Sequence, residues 1–364
     1  MTSPRPLSRR RLLKGLGGGA AELLVATTLA GCSATVTARG DPNGVTVASR
    51  SLRASSTVGP PFLSCPQLAP PRVRMDVHRG AASRGVVLTD CHGGAGQQGP
   101  MIIARSGELV WFLPVSRHGT SALRAFNLSR QHYHGEPVLC WFEGAVVDGH
   151  GQGHYVIADS SYRTIATVEA KAGLVADLHD FFLTKEDTAI FTAYGTASAD
   201  LSARGGAKAG SYLYGVVQEV DLSTGKLLFS WRSDHHIGLG ESYALPLPKK
   251  GPPWDYFHLN SVSLDPRDRH LIVSGRNTWA FYKVDRHSGK VLWRLGGKRS
   301  DFNLGRGCAF AYQHHVVAHR GGIYTIFDNE GAPWVHPPSR GLVLRVNEKR
   351  RTARLVQQYH HSPA

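Results

Sequence analysis

Ser106-Gly107-Glu108-Leu109-Val110-Trp111, Thr224-Gly225-Lys226-Leu227-Leu228-Phe229 and Ser288-Gly289-Lys290-Val291-Leu292-Trp293 share one pattern. Each is a Gly-centred turn running into a strand that alternates in polarity. Arg163-Thr164-Ile165-Ala166-Thr167-Val168 and Arg351-Thr352-Ala353-Arg354-Leu355-Val356 are weaker copies. With Gly107, Thr164, Gly225, Gly289 and Thr352 as markers, the copies stand 57, 61, 64 and 63 residues apart. Each interval has room for four short strands and generous loops. After residue 70 helical periodicity is almost absent, and β-rich runs alternate with Gly, Asp, Asn and Pro. An evenly repeated set of short strands predicts an all-β fold, a β-propeller rather than an irregular stack of sheets. Five outer strands are visible, and a segment from the N-terminal part would close a sixth blade.

Composition agrees. The 364 residues include 41 Gly, above the usual roughly 7%, which suits a turn-rich chain. Hydrophobic residues make up 41% and charged ones 19%, which excludes a disordered chain, a coiled coil and a polytopic membrane protein. The length is ample for a core, so folding requires neither metal nor disulfide framework. The formal charge is +15, and there are 19 His.

The first thirty residues read as an address. Ser8-Arg9-Arg10-Arg11-Leu12-Leu13-Lys14 is a twin-arginine export pattern. The apolar stretch Gly15 to Leu29 is short and Gly/Ala-rich, as in a signal h-region, with Glu22 the one charge inside it. Leu29-Ala30-Gly31-Cys32 resembles a lipoprotein box, so residues 1–31 are expected to be removed and Cys32 to be acylated. Removal takes away Arg5, Arg9, Arg10, Arg11, Lys14 and Glu22 and leaves +11. The reading is an exported protein of the cell envelope, lipid-anchored on the outer face of the cytoplasmic membrane or secreted. Residues 32–64 form a flexible Ser/Thr/Ala/Gly-rich tether, and 65–361 the propeller domain. An oxidising compartment permits disulfides among Cys65, Cys91, Cys140 and Cys308, with the pairing open.

A second element recurs upstream of the hairpins. His179, Asn260 and His314 each begin a strand and stand eight positions before an aligned turn residue. In a propeller the first strand of each blade lines the central channel, so these three are expected at the axis. His258 lies two residues before Asn260 and shares its face. The hairpin near Pro266-Arg267 brings Arg276 alongside His258, while Asn277 faces away. The expected cluster is His179, His258, Asn260, Arg276 and His314, cationic when its imidazoles are protonated and needing no carboxylate. Arg offers a fixed fork of donors, and imidazole can donate, accept or attack, which suits an oxyanion. Imidazoles also bind metals, but an Arg beside them argues against a divalent cation, so no metal and no cofactor is expected.

At these residues the chain resembles the bacterial arylsulfotransferase family, in its broader secreted and lipid-anchored branch. The resemblance is carried by Asp255-Tyr256-Phe257-His258-Leu259-Asn260-Ser261-Val262, by Ser274 through Asp285, by Gly289 through Lys298, by Ser300-Asp301-Phe302, by Phe310-Ala311-Tyr312-Gln313-His314 and by Phe327-Asp328-Asn329. Weaker matches are Gln98 through Ile103, Gly107 through Phe112, Gly135 through Val138 and Ala176 through Phe181. The resemblance spans roughly residues 65–360. It implies a six-bladed propeller and a sulfuryl transfer that does not use the nucleotide donor PAPS. A phenolic sulfate ester would donate, a histidine would hold the group transiently, and a phenol would accept it. His314 takes the place of the nucleophile; Arg276, His258, Asn260 and His179 take that of the sulfuryl-binding shell. The family pattern has Asp after the catalytic His, where this chain has His315, so His315 is the alternative nucleophile. Residues 33–70 are too short for the N-terminal β domain of the best-known members, which implies a monomer.

Two other readings compete. One is a non-catalytic envelope scaffold, for which the His/Asn/Arg set is dispensable. The other is a quinone-binding propeller, suggested by Asp221 through Lys226 and Asp285 through Trp293, although the expected Ca²⁺ carboxylates are not evident. Export argues against nucleic acid as a partner despite the basic charge, and Lys249-Lys250 and Lys349-Arg350-Arg351 read as solvated loops. Trp254, Tyr256, Trp279, Tyr282 and Trp334 are expected in blade cores, with one or two free to rim the funnel and hold an aryl ring.

Overall fold

A computed structural model describes residues 62, 65–73, 85–91, 96–115, 123–246, 251–329 and 339–360. The export stretch 1–31, Cys32 and, apart from Phe62, the tether lie outside the described residues, as do Lys249, Lys250 and Trp334. Strands joined by turns and short 3-10 segments make up the described chain. None of its helices is long and apolar enough to cross a membrane.

The chain divides into two compact units. The first holds residues 1–130, 137–151 and 156–165. Its strands Val86–Cys91, Gly99–Ala104 and Leu109–Phe112 form an antiparallel sheet. Ile102, Leu128, Leu139, Trp141 and Val156 form a buried cluster there, and Trp111 meets Trp141 edge-on at 6.2 Å.

The second unit holds residues 131–136, 152–155 and 166–364. It contains three four-stranded antiparallel meanders. The first runs Val175–Leu183, Thr188–Ala199, Gly210–Asp221, Leu227–Arg232. The second runs Leu259–Leu264, Leu271–Gly275, Ala280–Val284, Val291–Gly296. The third runs His314–His319, Ile323–Asp328, Arg340–Asn347, Thr352–His360. The chain is all-β, and these are the blade units of a β-propeller.

Local chemistry explains the outer hairpins. Asp221 Oδ1 accepts the Thr224 N–H at 2.8 Å and the Ser223 hydroxyl at 2.7 Å. Asp285 Oδ1 likewise accepts the N–H groups of His287 and Ser288 at 3.0 and 2.7 Å. These Asx turns are closed by Gly225 and Gly289 at φ 69° and 72°, where glycine carries no Cβ penalty. Asn347 repeats the device by accepting the Arg350 N–H at 2.9 Å, with Arg351 in the left-handed position.

Aromatic side chains fill the space between meanders. Trp231, Tyr256, Phe257 and Tyr282 belong to one buried cluster, and Phe281, Trp293, Phe302 and Tyr324 to another. Trp231 also donates its indole N–H to the Gly289 carbonyl at 3.1 Å. Of the aromatics singled out from the sequence, Trp254, Tyr256 and Tyr282 are core residues, while Trp279 is half-buried. Lys283 is 2% exposed and reaches Asp265 at 3.0 Å, Asp268 at 2.6 Å and Glu348 at 3.1 Å. Burial opposes ionisation of Asp265, but Arg267 and Lys283 outweigh it and hold that carboxyl well below the usual range. Cys65, Cys140 and Cys308 carry thiols, and burial pushes those of Cys140 and Cys308 up. These three are not joined to one another by a disulfide, although the sequence permits one.

Candidate active site

The first strand of each meander is irregular where the singled-out residues lie. Ala176 pairs with Ala193 and Phe181 with Phe191, so three extra residues bulge out around His179. Leu259 pairs with Gly275 and Ser261 with Ser274, which places Asn260 in a bulge. His314 pairs with Phe327 and Val317 with Thr325, which adds one residue after His314. A bulge re-aims a side chain that strict alternation would send elsewhere.

Side chains tie these inner strands together. Asp180 Oδ2 accepts the Val262 N–H at 3.0 Å, and Ser261 Oγ accepts the Val316 N–H at 3.0 Å. The Tyr194 hydroxyl donates to the Leu259 carbonyl at 2.6 Å. Asn260 donates from Nδ2 to the Gln313 carbonyl at 2.6 Å. Gln313 is fully buried and uses Nε2 on Ser274 Oγ, Gly275 O and Ala280 O at 2.9 to 3.1 Å. Asn260 thus fixes the backbone one residue before His314.

Three imidazoles come together. The His179 and His258 ring centres are 5.0 Å apart, His179 and His314 6.4 Å, and His258 and His314 6.2 Å. One ring nitrogen from each lies within 4.8 Å of the other two. Each ring is oriented through Nδ1. His179 Nδ1 contacts Asp177 Oδ2 at 2.6 Å, and His258 Nδ1 contacts Asp255 Oδ2. His314 Nδ1 meets the Tyr312 carbonyl at 2.9 Å. With these acceptors at Nδ1 we assign the Nδ1–H tautomer, which leaves the lone pair of each neutral ring on Nε2; Asn329 Nδ2 also lies 3.4 Å from His314 Nδ1.

Arg276 turns back onto this cluster. Its N–H donates to the His258 carbonyl at 2.9 Å. Gly275 permits the turn, because a Cβ there would stand 2.5 Å from the Phe257 ring. The guanidinium donates from Nη1 to Asn277 Oδ1 at 2.9 Å and lies 4.8 Å over the Tyr312 ring. Tyr312 meets Trp279 edge-on at 5.4 Å, and Trp279 stacks on Tyr243 at 3.6 Å.

Burial dominates the electrostatics. It pushes His258 down to about 4 against the pull of Asp255, with His179 and Arg276 adding to the fall. It holds His314 well below the ordinary imidazole range, helped by His258, His179 and Arg276. Burial also raises the Asp180 carboxyl, opposed first by His315.

All five sequence-derived residues lie in this region, in different capacities. His179, His258 and His314 converge, Arg276 adjoins them, and Asn260 holds the Gln313 carbonyl. His258 owes its aim to a left-handed backbone, φ 52°, and not to strand alternation with Asn260. His315 is exposed, at φ 50°, and lies toward Asp180, so it is His314 that joins the other imidazoles. The cluster is not free of carboxylates: Asp177 and Asp255 each grip an imidazole. Their signal was Asp two or three residues ahead of His, in Asp177-Leu178-His179 and Asp255-Tyr256-Phe257-His258.

The family description "Arylsulfotransferase (ASST)" matches residues 129–364. The chain belongs to the arylsulfotransferase family. Every side chain of the cluster falls within the matched residues. The activity that this family carries is aryl sulfotransfer. No curated protein matches the chain. Among solved structures it is similar to the Dos1 propeller, with 12% identity over 77% of this chain and 60% of that one, at a TM-score of 0.37. It is also similar to the quinohemoprotein alcohol dehydrogenase from Comamonas testosteroni, with 10% identity over 76% of this chain and 53% of that one, at a TM-score of 0.40. The chain spans about three fifths of the first and about half of the second.

Proposed function

We propose that this arylsulfotransferase moves a sulfuryl group from a phenolic sulfate ester to a phenol, without PAPS, through a transient sulfohistidine at His314. The observation that carries the reading is the His314 ring: buried, tied at Nδ1 to the Tyr312 carbonyl, and facing two imidazoles that aspartates orient. That hydrogen bond directs the lone pair to Nε2, and burial keeps the ring neutral, the state a nucleophile needs.

In the first step Nε2 of His314 attacks sulfur. The sulfur–oxygen bond to the ring breaks, and the phenolate leaves with the electron pair. Of the two neighbouring imidazoles, His179 is the one that passes a proton to that oxygen, with Asp177 at its Nδ1 to balance the charge. Arg276 opposes the charge on the sulfuryl oxygens, which catalysis here mainly has to stabilise. In the second step a phenol oxygen attacks sulfur, the nitrogen–sulfur bond breaks, and the acceptor proton returns to the imidazole. His314 is regenerated. Asn260 is a positioning residue, acting through Gln313.

The export signal, the acyl anchor at Cys32 and a monomeric state are part of the same proposal. Intact mass of the membrane fraction tests the anchor, because acylation at Cys32 adds a lipid and removes residues 1–31. The catalytic reading is tested by mixing the purified chain with p-nitrophenyl sulfate and a phenol. Nitrophenol release that is lost in His314→Ala and kept in His315→Ala is the expected result. No release, or undiminished release from both variants, overturns the reading and favours a non-catalytic scaffold.

A further inference from the structure

The geometry points to a second ligand for this cluster: a divalent transition-metal ion of the zinc class, held by His179, His258 and His314 and excluding the sulfate ester. Its inhibitory consequence rests on the sulfuryl-transfer reading, whereas the metal site itself does not.

The three rings offer one nitrogen each within 4.8 Å of one another. Zinc takes imidazole nitrogens at roughly 2.0–2.1 Å in tetrahedral geometry, and three His with an open fourth position is one of its recurrent sites. Nitrogens up to 4.8 Å apart must draw in to reach one ion, so binding here requires the rings to move inward. What surrounds them strengthens the case. A metal-bound imidazole characteristically donates its other N–H to a carboxylate or a backbone carbonyl, which fixes the tautomer and raises ligand basicity. His179 has Asp177, His258 has Asp255, and His314 has the Tyr312 carbonyl in that position. Asp177 is in turn held by the Thr192 hydroxyl at 3.2 Å and by its own strand, where it also accepts the His179 N–H at 2.9 Å. Each ring is thus set with Nδ1 as donor and Nε2 as lone pair, the tautomer a cation needs.

From sequence, Arg276 counts against a cation. In the fold the guanidinium donates to Asn277 Oδ1 and lies over the Tyr312 ring, and against that single positive charge stand two carboxylates on the imidazoles, Asp177 and Asp255. Softness and geometry select zinc-class ions over magnesium or calcium, which prefer oxygen ligands. Metal capture occupies the His314 lone pair that sulfuryl transfer requires. Coordination breaks no covalent bond and calls for no oxidant or reductant. The fourth position is left to water or to an anion beside Arg276.

The test uses untagged, chelator-washed full-length protein and Zn²⁺ alone. Calorimetric titration should show one ion per chain, and X-ray absorption at the zinc edge should count three imidazole ligands. Asp255→Asn and Asp177→Asn should each weaken binding by about 10–100-fold, while leaving all three ligands in place. Zn²⁺ should also slow nitrophenol release in competition with the ester, and EDTA should restore it. Absence of stoichiometric uptake overturns the inference, as does a spectrum with fewer than three imidazoles; both are read on the wild-type chain. Affinity unchanged by both aspartate variants overturns it as well. Uptake without any transferase activity refutes only the catalytic reading, and transfer without uptake refutes only the metal site.

Discussion

Lowering the pH should destabilise the fold through the imidazoles of the site, and His258 sets the size of the effect. Its folded-state value is pushed down to about 4, chiefly because burial disfavours the imidazolium. In the unfolded chain a histidine titrates near 6.5. The unfolded state therefore takes up a proton first as the pH falls. The stability contributed by the neutral, buried ring is fully present above about 6.5 and is lost between about 6.5 and 4. The gap corresponds to about 3 kcal/mol, a large share of a typical folding free energy of 5–15 kcal/mol. His314, shifted in the same direction, adds to the loss in the same window and below it. Urea unfolding of wild type and His258→Gln at pH 7, 5.5 and 4, in the presence of a chelator, isolates the His258 part. The stability difference between the two proteins should shift by about 3 kcal/mol toward the variant as the pH falls. A difference constant within about 0.5 kcal/mol across that range would refute the claim that His258 is buried in its neutral form.

Other consequences follow from the same geometry. Because His314 is held neutral well below the ordinary imidazole range, kcat/KM for p-nitrophenyl sulfate should show no nucleophile limb near pH 6.5, only one displaced to lower pH; a limb at 6.5 would place the nucleophile in water. Asp177→Asn should cut turnover of esters with poor leaving groups by about 10²-fold, and of the p-nitrophenyl ester by much less, because the lost function is proton delivery through His179. Comparing the two esters separates this from a general loss of structure. Lys283→Met removes the buried cation shared by Asp265 and Glu348 but leaves Arg267 on both, and should cost about 1.5–3 kcal/mol of stability by urea unfolding, with kcat of the folded fraction unchanged.

Much of this arrangement was legible in the sequence. The repeated Gly-centred hairpins marked the outer strands because an Asx turn needs Asp or Asn at a fixed offset before a left-handed residue, as at Asp221 and Gly225. His179, Asn260 and His314 stood out because equivalent positions of a repeat fold to equivalent places. The aspartates were harder to see. In a chain full of turns, Asp before His reads as turn chemistry, and nothing local says that Asp177 is fully buried. Nor does alternation reveal a bulge. His258, Tyr312 and His315 all take left-handed backbone, which re-aims their neighbours in ways that period-two reasoning misassigns. The choice between His314 and His315 was open in the sequence for that reason.

The central claim is a covalent one and can be read directly. The purified chain is mixed with p-nitrophenyl sulfate and no acceptor, quenched at neutral pH, and measured by intact mass spectrometry with peptide mapping. One sulfuryl group per chain is expected, located on His314, absent from His314→Ala and discharged when a phenol is added. Nitrophenol release with no protein adduct, or an adduct on His315 or another residue, would contradict it.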